Sequence, residues 1–327
     1  MRSHLATLGG IGLVAALPVL FGWSGAGATS RQAPPPALER LPGEGVPVEK
    51  SHTYRLAGRI RPLLFWFGKD DVGIGRIVWR RSPGGRHGYD FLVGTDPSKA
   101  PRALNRWGYV SEEVTGVDGS LLALMTRSDE NSYDDANAST SRAGSGTEFR
   151  ALHARLDHAT VTARVAPVLT AEPLRVFDVE STLDRVRREA AAAVPRQMQV
   201  RPDVKPGFLV AVADVVDRAV AARTPSERAA VLRSVVPYAF GRNAYELRLR
   251  DIDPVATAGG PETGLVRLPF EIRTVATGAR TRFELLCGTG GDLAGVPVRI
   301  EWQPRWWLRL ELHLDDRAGR APAPVSR

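Results

Sequence analysis

The clearest pattern in the chain is an alternation of apolar and charged residues in its C-terminal third. Five segments between Tyr245 and Leu314 place large apolar side chains on one face and Arg or Glu on the other. A period of two residues is typical of a strand with one buried face. The pattern predicts an antiparallel meander over residues 243–316, with opposite charges paired across its outer face.

Shorter strand-like runs separated by turn signals fill residues 51–170. Residues 54–67 and 72–81 flank the sequence Gly-Lys-Asp-Asp at 68–71, which predicts the turn of a hairpin. Similar runs flank Gly-Val-Asp-Gly at 116–119, and a turn is expected at Asp157-His158. These features predict a second region of antiparallel strands.

The period changes to that of a helix between these two regions. Residues 178–236 contain apolar residues at helical spacing, and Thr224-Pro225-Ser226-Glu227 is a start signal for a third helix that extends to about Val236. The fold class we expect is α+β and antiparallel β-rich, with about three central helices. We favour one large curved sheet or half-barrel built from both strand regions, and two separate sheets are the alternative.

The N-terminus has the features of an export signal. Residues 1–28 combine Arg2, an apolar stretch and the small-residue sequence Ala26-Gly27-Ala28, which predicts cleavage after Ala28. An uncleaved membrane anchor is the alternative. We therefore expect a periplasmic or secreted protein with no transmembrane segment after cleavage.

The remaining composition divides the chain into a few segments. Prolines predict a linker over residues 29–50, a single β-α-β domain follows over residues 51–316 with folding expected from near His52, and residues 317–327 are expected to be a disordered tail. Within the domain, the strand regions are 51–170 and 243–316.

The formal charge of +8 does not indicate a nucleic-acid partner. Only four of the 44 basic residues are lysines, and the arginines are scattered beside glutamates along strand-like segments instead of forming basic runs. Most of this charge is thus expected on a solvated, ion-paired surface.

No familiar catalytic or cofactor motif occurs, and we expect no cofactor or metal. Cys287 falls on the apolar face of its predicted strand, which favours a core role. His153 and His158 have an unfavourable spacing for a metal pair, and the acidic loop at 128–147 lacks the spacing of a calcium loop.

Aromatic residues near predicted strand ends are the strongest candidates for a binding site. These candidates for ligand or partner binding are Phe65, Trp66, Phe67, Trp302, Trp306 and Trp307. Trp302 and Trp306 share the apolar face across a predicted turn at 303–305, whereas Trp307 points the other way. An outward tryptophan beside arginines could bind a ring, a lipid or a partner protein, or it could be covered by helices.

Three hypotheses for function follow from this pattern. The first is an exported, non-enzymatic protein that binds an apolar or amphipathic ligand, such as a lipid, or an envelope protein. The second is an extracytoplasmic hydrolase that uses carboxylates, with candidates at Glu112, Glu113, Asp251 and Asp253. The third is a structural envelope subunit.

Overall fold

The computed structural model describes residues 40–61, 66–126, 147–255, 264–305 and 308–315, and it shows a mostly antiparallel β fold. In chain order the strands are β1 (Val48–Ile60), β2 (Phe67–Arg81), β3 (His87–Thr95), β4 (Trp107–Thr115), β5 (Asp118–Thr126), β6 (Glu148–Asp157), β7 (Thr160–Leu169), β8 (Arg196–Gln199), β9 (Val236–Phe240), β10 (Asn243–Leu249), β11 (Asp253–Val255), β12 (Leu265–Thr274), β13 (Arg280–Gly288), β14 (Pro297–Arg305) and β15 (Leu308–Leu314).

The helices lie between the two strand regions, as predicted. They are α1 (Leu183–Ala192), α2 (Phe208–Ala221) and α3 (Pro225–Arg233), and a 3₁₀ helix over Val176–Thr182 leads into α1. Thr224 and Glu227 form the predicted capping box at the start of α3. Within the described part of the chain, every helix is too short or too polar to cross a bilayer.

Both strand regions belong to one sheet because the first and last strands pair at its centre. β1 pairs antiparallel with β15, and Leu56 lies opposite Leu312. The strand order is β8-β7-β6-β5-β4-β3-β2-β1-β15-β14-β13-β12-β10-β9, and β11 pairs with β12 beside this path. Each half is therefore a meander, and the predicted C-terminal meander is confirmed.

The sheet curls so that its two ends approach each other around helix α2. One apolar core joins side chains of β4–β7 with side chains of β9, β10 and β12–β15 and with α2. Lys205, just before α2, pairs through its backbone with β9, with hydrogen bonds to Pro237 and Ala239 of 2.8 and 3.0 Å. The edge strands β8 and β9 do not pair with each other, so the sheet is curved but open.

The convex face of the sheet carries the charges and a second apolar core. Around β12–β15, arginines and glutamates alternate in ion pairs such as Arg282–Glu271 at 3.3 Å and Arg309–Glu301 at 3.1 Å. Around β4–β7, the 3₁₀ helix and α1 cover apolar residues that include Trp107. Arginines of the C-terminal strands are therefore held in ion pairs with glutamates on this face.

Ordered contacts begin before His52, the predicted start of folding. Leu41 and Val46 are buried, and the residues between them cross the convex face beside β2–β4. Glu113 of β4 pairs with Arg40 and accepts a hydrogen bond from the Gly43 N–H at 2.9 Å. Proline content alone did not reveal these contacts because they depend on partners far away in the sequence.

Three local predictions differ from the structure. Residues 68–71 do not form a turn but belong to β2, where a bulge opposite Leu56–Gly58 accommodates them and Asp71 adopts a φ of 54°. Helix α3 ends at Arg233, since Val236 pairs with Leu247 in the sheet. Residues 303–305 continue β14 through a register shift. The acidic loop lies almost entirely outside the described residues.

Candidate functional site

An apolar cleft of about 240 Å³ lies between the concave face of the sheet and helix α2. Its sheet wall is built from inward side chains of the central strands, among them Leu56, Ile77, Phe91, Leu285, Ile300 and Leu312. The pairing of β1 with β15 at the centre of the sheet is what places N-terminal and C-terminal residues in one wall. Concave apolar sites with a few polar groups are typical of small-molecule binding.

Helix α2 forms the opposite wall because it is apolar on two sides. Phe208, Ala211, Val215 and Ala219 are buried in the core. Leu209, Val212, Ala213 and Val216 line the cleft at the spacing of one helical face. Three of these four are only half-buried, so the wall retains apolar surface that a bound molecule could cover.

A buried carboxylate anchors the N-terminus of helix α2. Glu112 of β4 accepts a hydrogen bond from the Val210 N–H at 2.9 Å, and the N–H groups of Phe208 and Leu209 also bond to it. The free N–H groups of a first helical turn favour a negative charge, so this contact holds the helix to the sheet.

Burial nevertheless dominates the titration of this carboxyl. Desolvation raises the pKa of Glu112 from 4.5 to about 7, although the three N–H groups act in the opposite direction. Its Oε1 has no hydrogen-bond partner among the described residues. The hydroxyl of Tyr238, which interacts electrostatically with Glu112, is likewise buried without a partner in that part of the chain.

Two glycines make this close approach of helix and sheet possible. A Cβ at Gly207 would lie 2.2 Å from the Glu112 carboxyl carbon. A Cβ at Gly119 would lie 2.4 Å from the ring of Pro206. Both positions therefore require the absence of a side chain, and a larger residue at either one would push the start of α2 away from the sheet.

The mouth of the cleft carries charged groups from β1, β2 and α2. Arg81 pairs with Glu49 at 3.0 Å, and the Nζ of Lys50 lies 4.8 Å from the centroid of the Trp79 ring. Asp217 of α2 also lines the mouth, and partial burial raises its pKa while Lys50 and Arg81 oppose that shift. Arg106, whose backbone carbonyl accepts a hydrogen bond from the Thr95 hydroxyl, is a further charged residue of the lining.

The sequence-predicted site residues are distributed over different surfaces. Trp302 is buried and lines the cleft. Trp66 lies away from the cleft, with the Arg309 guanidinium 4.8 Å from its ring centroid. Phe67 starts β2 and is 58% exposed. Phe65, Trp306 and Trp307 lie outside the described residues.

Sequence reasoning missed several lining residues that the same alternation contains. Ile77 and Trp79 alternate with charged or outward residues in β2, and Tyr89 and Phe91 do so in β3. Trp79 pairs directly with Tyr89, so their side chains share the concave face. The strands were predicted, but their inward face could not be recognised without knowing the position of α2.

The candidate carboxylates of a hydrolase are not gathered in one place. Glu112 and Glu113 are adjacent on β4, so their side chains point to opposite faces of the sheet. Asp253 forms an ion pair with Arg267. Asp251 is exposed and accepts a hydrogen bond from the N–H of Ile252.

The other chemically interesting groups also lie apart from the cleft. Cys287 is fully buried, as predicted, and burial raises its pKa to about 12. His153 is buried on β6, where burial lowers its pKa to about 4, whereas His158 is exposed in the turn before β7. Across the described ranges, no three His, Cys, Asp or Glu side chains form a potential metal site.

Comparisons with known proteins identify no family and one weak structural similarity. No protein-family model matches the chain, and no curated protein matches it. A solved β-barrel-like protein of a domain of unknown function (DUF1849) from Brucella abortus aligns with 84% of this chain and 97% of its own, at 8% identity and a TM-score of 0.37. A TM-score this low establishes neither a shared fold nor a shared function.

Proposed function

We propose that this protein is an exported, non-enzymatic binding protein that holds an apolar or amphipathic small molecule in the cleft beside helix α2. The observation that carries this proposal is the 240 Å³ cleft, whose walls are mainly apolar and whose lining includes a few charged side chains. Export is supported by the signal-like residues 1–28.

The construction of the wall supports a ligand more than a packing defect. Four apolar side chains that line the cleft are only half-buried, Val212 and Ala213 from helix α2 and Phe91 and Ile300 from the sheet. Their exposed surface is available for a ligand to cover. Covering apolar surface stabilises a complex by about 25 cal/mol per Å². A chain of methylene groups matches these walls, because most of the side chains that line them are apolar.

The proposal is tested by filling the cleft. Val212→Trp places a large side chain in the cleft, while Val165→Trp changes an exposed valine of β7 away from it. We expect the purified protein to bind a fluorescent acyl probe, the first variant to lose that binding at unchanged helix and strand content, and the second to retain it. Equal binding by all three proteins, or none by the wild type, would contradict the proposal.

A further inference from the structure

One basic group that lines the cleft, Lys50, forms no ion pair within the described residues, although its charge acts on the Asp217 carboxyl. The Nζ of Lys50 lies over the Trp79 ring, and none of the carboxylates in the described residues forms an ion pair with it. The neighbouring Arg81 differs, since Glu49 pairs with its guanidinium. A half-buried ammonium with three donors is therefore available beside apolar walls.

The comparison with the other lysines shows that this is unusual within the chain. Lys99 pairs with Asp71 at 2.9 Å, and Lys205 pairs with Asp214 at 3.6 Å. Lys69 donates to a backbone carbonyl at 2.5 Å. Of the four lysines, all of which the structure describes, Lys50 is the one with neither an ion pair nor a hydrogen bond of its Nζ, and it is the one that lines the cleft.

We propose that the ligand is a long-chain carboxylate whose chain lies between α2 and the sheet and whose headgroup binds the Nζ of Lys50. This inference rests on the proposed function. An ammonium beside low-dielectric walls attracts an anion more strongly than a fully solvated one does. Apolar walls that end at a single unpaired cation match a single-chain molecule with one anionic end.

The other charges at the cleft favour a singly charged headgroup over a doubly charged phosphate. Arg81 already has Glu49 as its partner, and the Asp217 carboxyl faces the same mouth and would repel an added negative charge. Arg106 also lines the cleft, on the segment that precedes β4, and it has interactions of its own. The test must therefore separate Lys50 from Arg106.

The experiment compares decanoate with 1-decanol, which differ in headgroup charge but share a similar chain. Calorimetric titration of the full-length protein at pH 8 should show about tenfold tighter binding of decanoate, the effect of one charge-assisted hydrogen bond. Lys50→Gln should abolish this preference, so that the variant binds the two compounds with equal affinity. Lys99→Gln is the matched control and should preserve it, and Asp217→Asn should strengthen it.

The outcomes distinguish the two proposals. If the wild type binds both compounds equally, or if Arg106→Gln abolishes the preference while Lys50→Gln does not, the carboxylate assignment to Lys50 is overturned but the cleft remains a binding site. If neither compound binds and the acyl probe also fails, the proposed function itself falls. Tighter binding of decyl phosphate than of decanoate would overturn the preference for a singly charged headgroup.

Discussion

The two faces of the sheet use the same alternating strands for opposite purposes. On the convex face, cations and anions neutralise each other, as in the contacts of Glu271 with Arg280 and Arg282. On the concave face, apolar side chains form most of the cleft, a few charged side chains line it, and Glu112 is buried beside α2. Ion pairs between neighbouring strands thus dominate the convex face, whereas apolar side chains dominate the concave face.

Glu112 and Glu113 show this difference between neighbouring residues. Glu113 faces outward, where it pairs with Arg40 and accepts a hydrogen bond from the Gly43 N–H. Glu112 faces inward and interacts with the backbone N–H groups at the start of α2, and none of the described cations pairs with it. Replacing each by glutamine should therefore have effects of opposite sign.

The largest expected effect is a gain in the free energy of unfolding from Glu112→Gln, which develops above pH 4.5 and is complete above about pH 7. Because the pKa of Glu112 is about 7 in the folded protein and 4.5 in the unfolded chain, the folded state loses stability as the pH rises through this range. The shift corresponds to about 3 kcal/mol at about 1.4 kcal/mol per unit. Glutamine keeps an acceptor for the Val210 N–H without the charge.

Urea unfolding at several pH values measures this effect. At pH 4 the variant and the wild type should have similar free energies of unfolding, and the variant should gain progressively between pH 4.5 and pH 7. Glu172→Gln, at an exposed position, should give a curve parallel to that of the wild type. A gap that does not change with pH would show that Glu112 is not desolvated in the folded protein.

The next effect has the opposite sign. Glu113→Gln should destabilise the protein by about 1–3 kcal/mol at neutral pH, because it removes charge-assisted hydrogen bonds and presents an amide N–H₂ group to the donors of Arg40 and Gly43. Urea midpoints at pH 7.5 provide the measurement. Asp203→Asn breaks an exposed ion pair with Arg201 and serves as the control, with a change below about 1 kcal/mol. Equal effects of both variants would contradict a special role for Glu113.

A third prediction concerns the depth at which α2 sits on the concave face. Gly207→Ala places a Cβ against the Glu112 carboxyl group and should cost about 1–3 kcal/mol through the shift of the helix. Gly84→Ala is the control, since its nearest neighbour would be a serine oxygen at 3.7 Å. The thermal unfolding temperature and the affinity for the acyl probe should both be lower in the Gly207→Ala variant. Unchanged values would show that α2 can shift without cost.

Alternation in the sequence predicted the strands and the charged outer face of the C-terminal meander, but not the contacts that build the cleft. It identified the C-terminal meander and placed Cys287 in the core, because each strand carries its own signal. It could not place Glu112 at the N-terminus of α2, which depends on a contact between residues 98 positions apart. Trp302 was predicted as a site residue and lines the cleft, whereas Lys50 was not predicted, since its lack of an ion pair depends on which carboxylates come near in space.

The smallest expected effect tests whether the convex ion pairs matter individually. Arg282→Gln removes one partner of Glu271, but Arg280 remains 3.6 Å from the same carboxylate, so no buried charge is left alone. The loss should be about 0.2–1 kcal/mol, because the Arg282 side chain is largely exposed. High salt should reduce it further, since screening weakens exposed pairs. A loss as large as that of Glu113→Gln, unaffected by salt, would mean that both regions of the convex face depend on specific ion pairs.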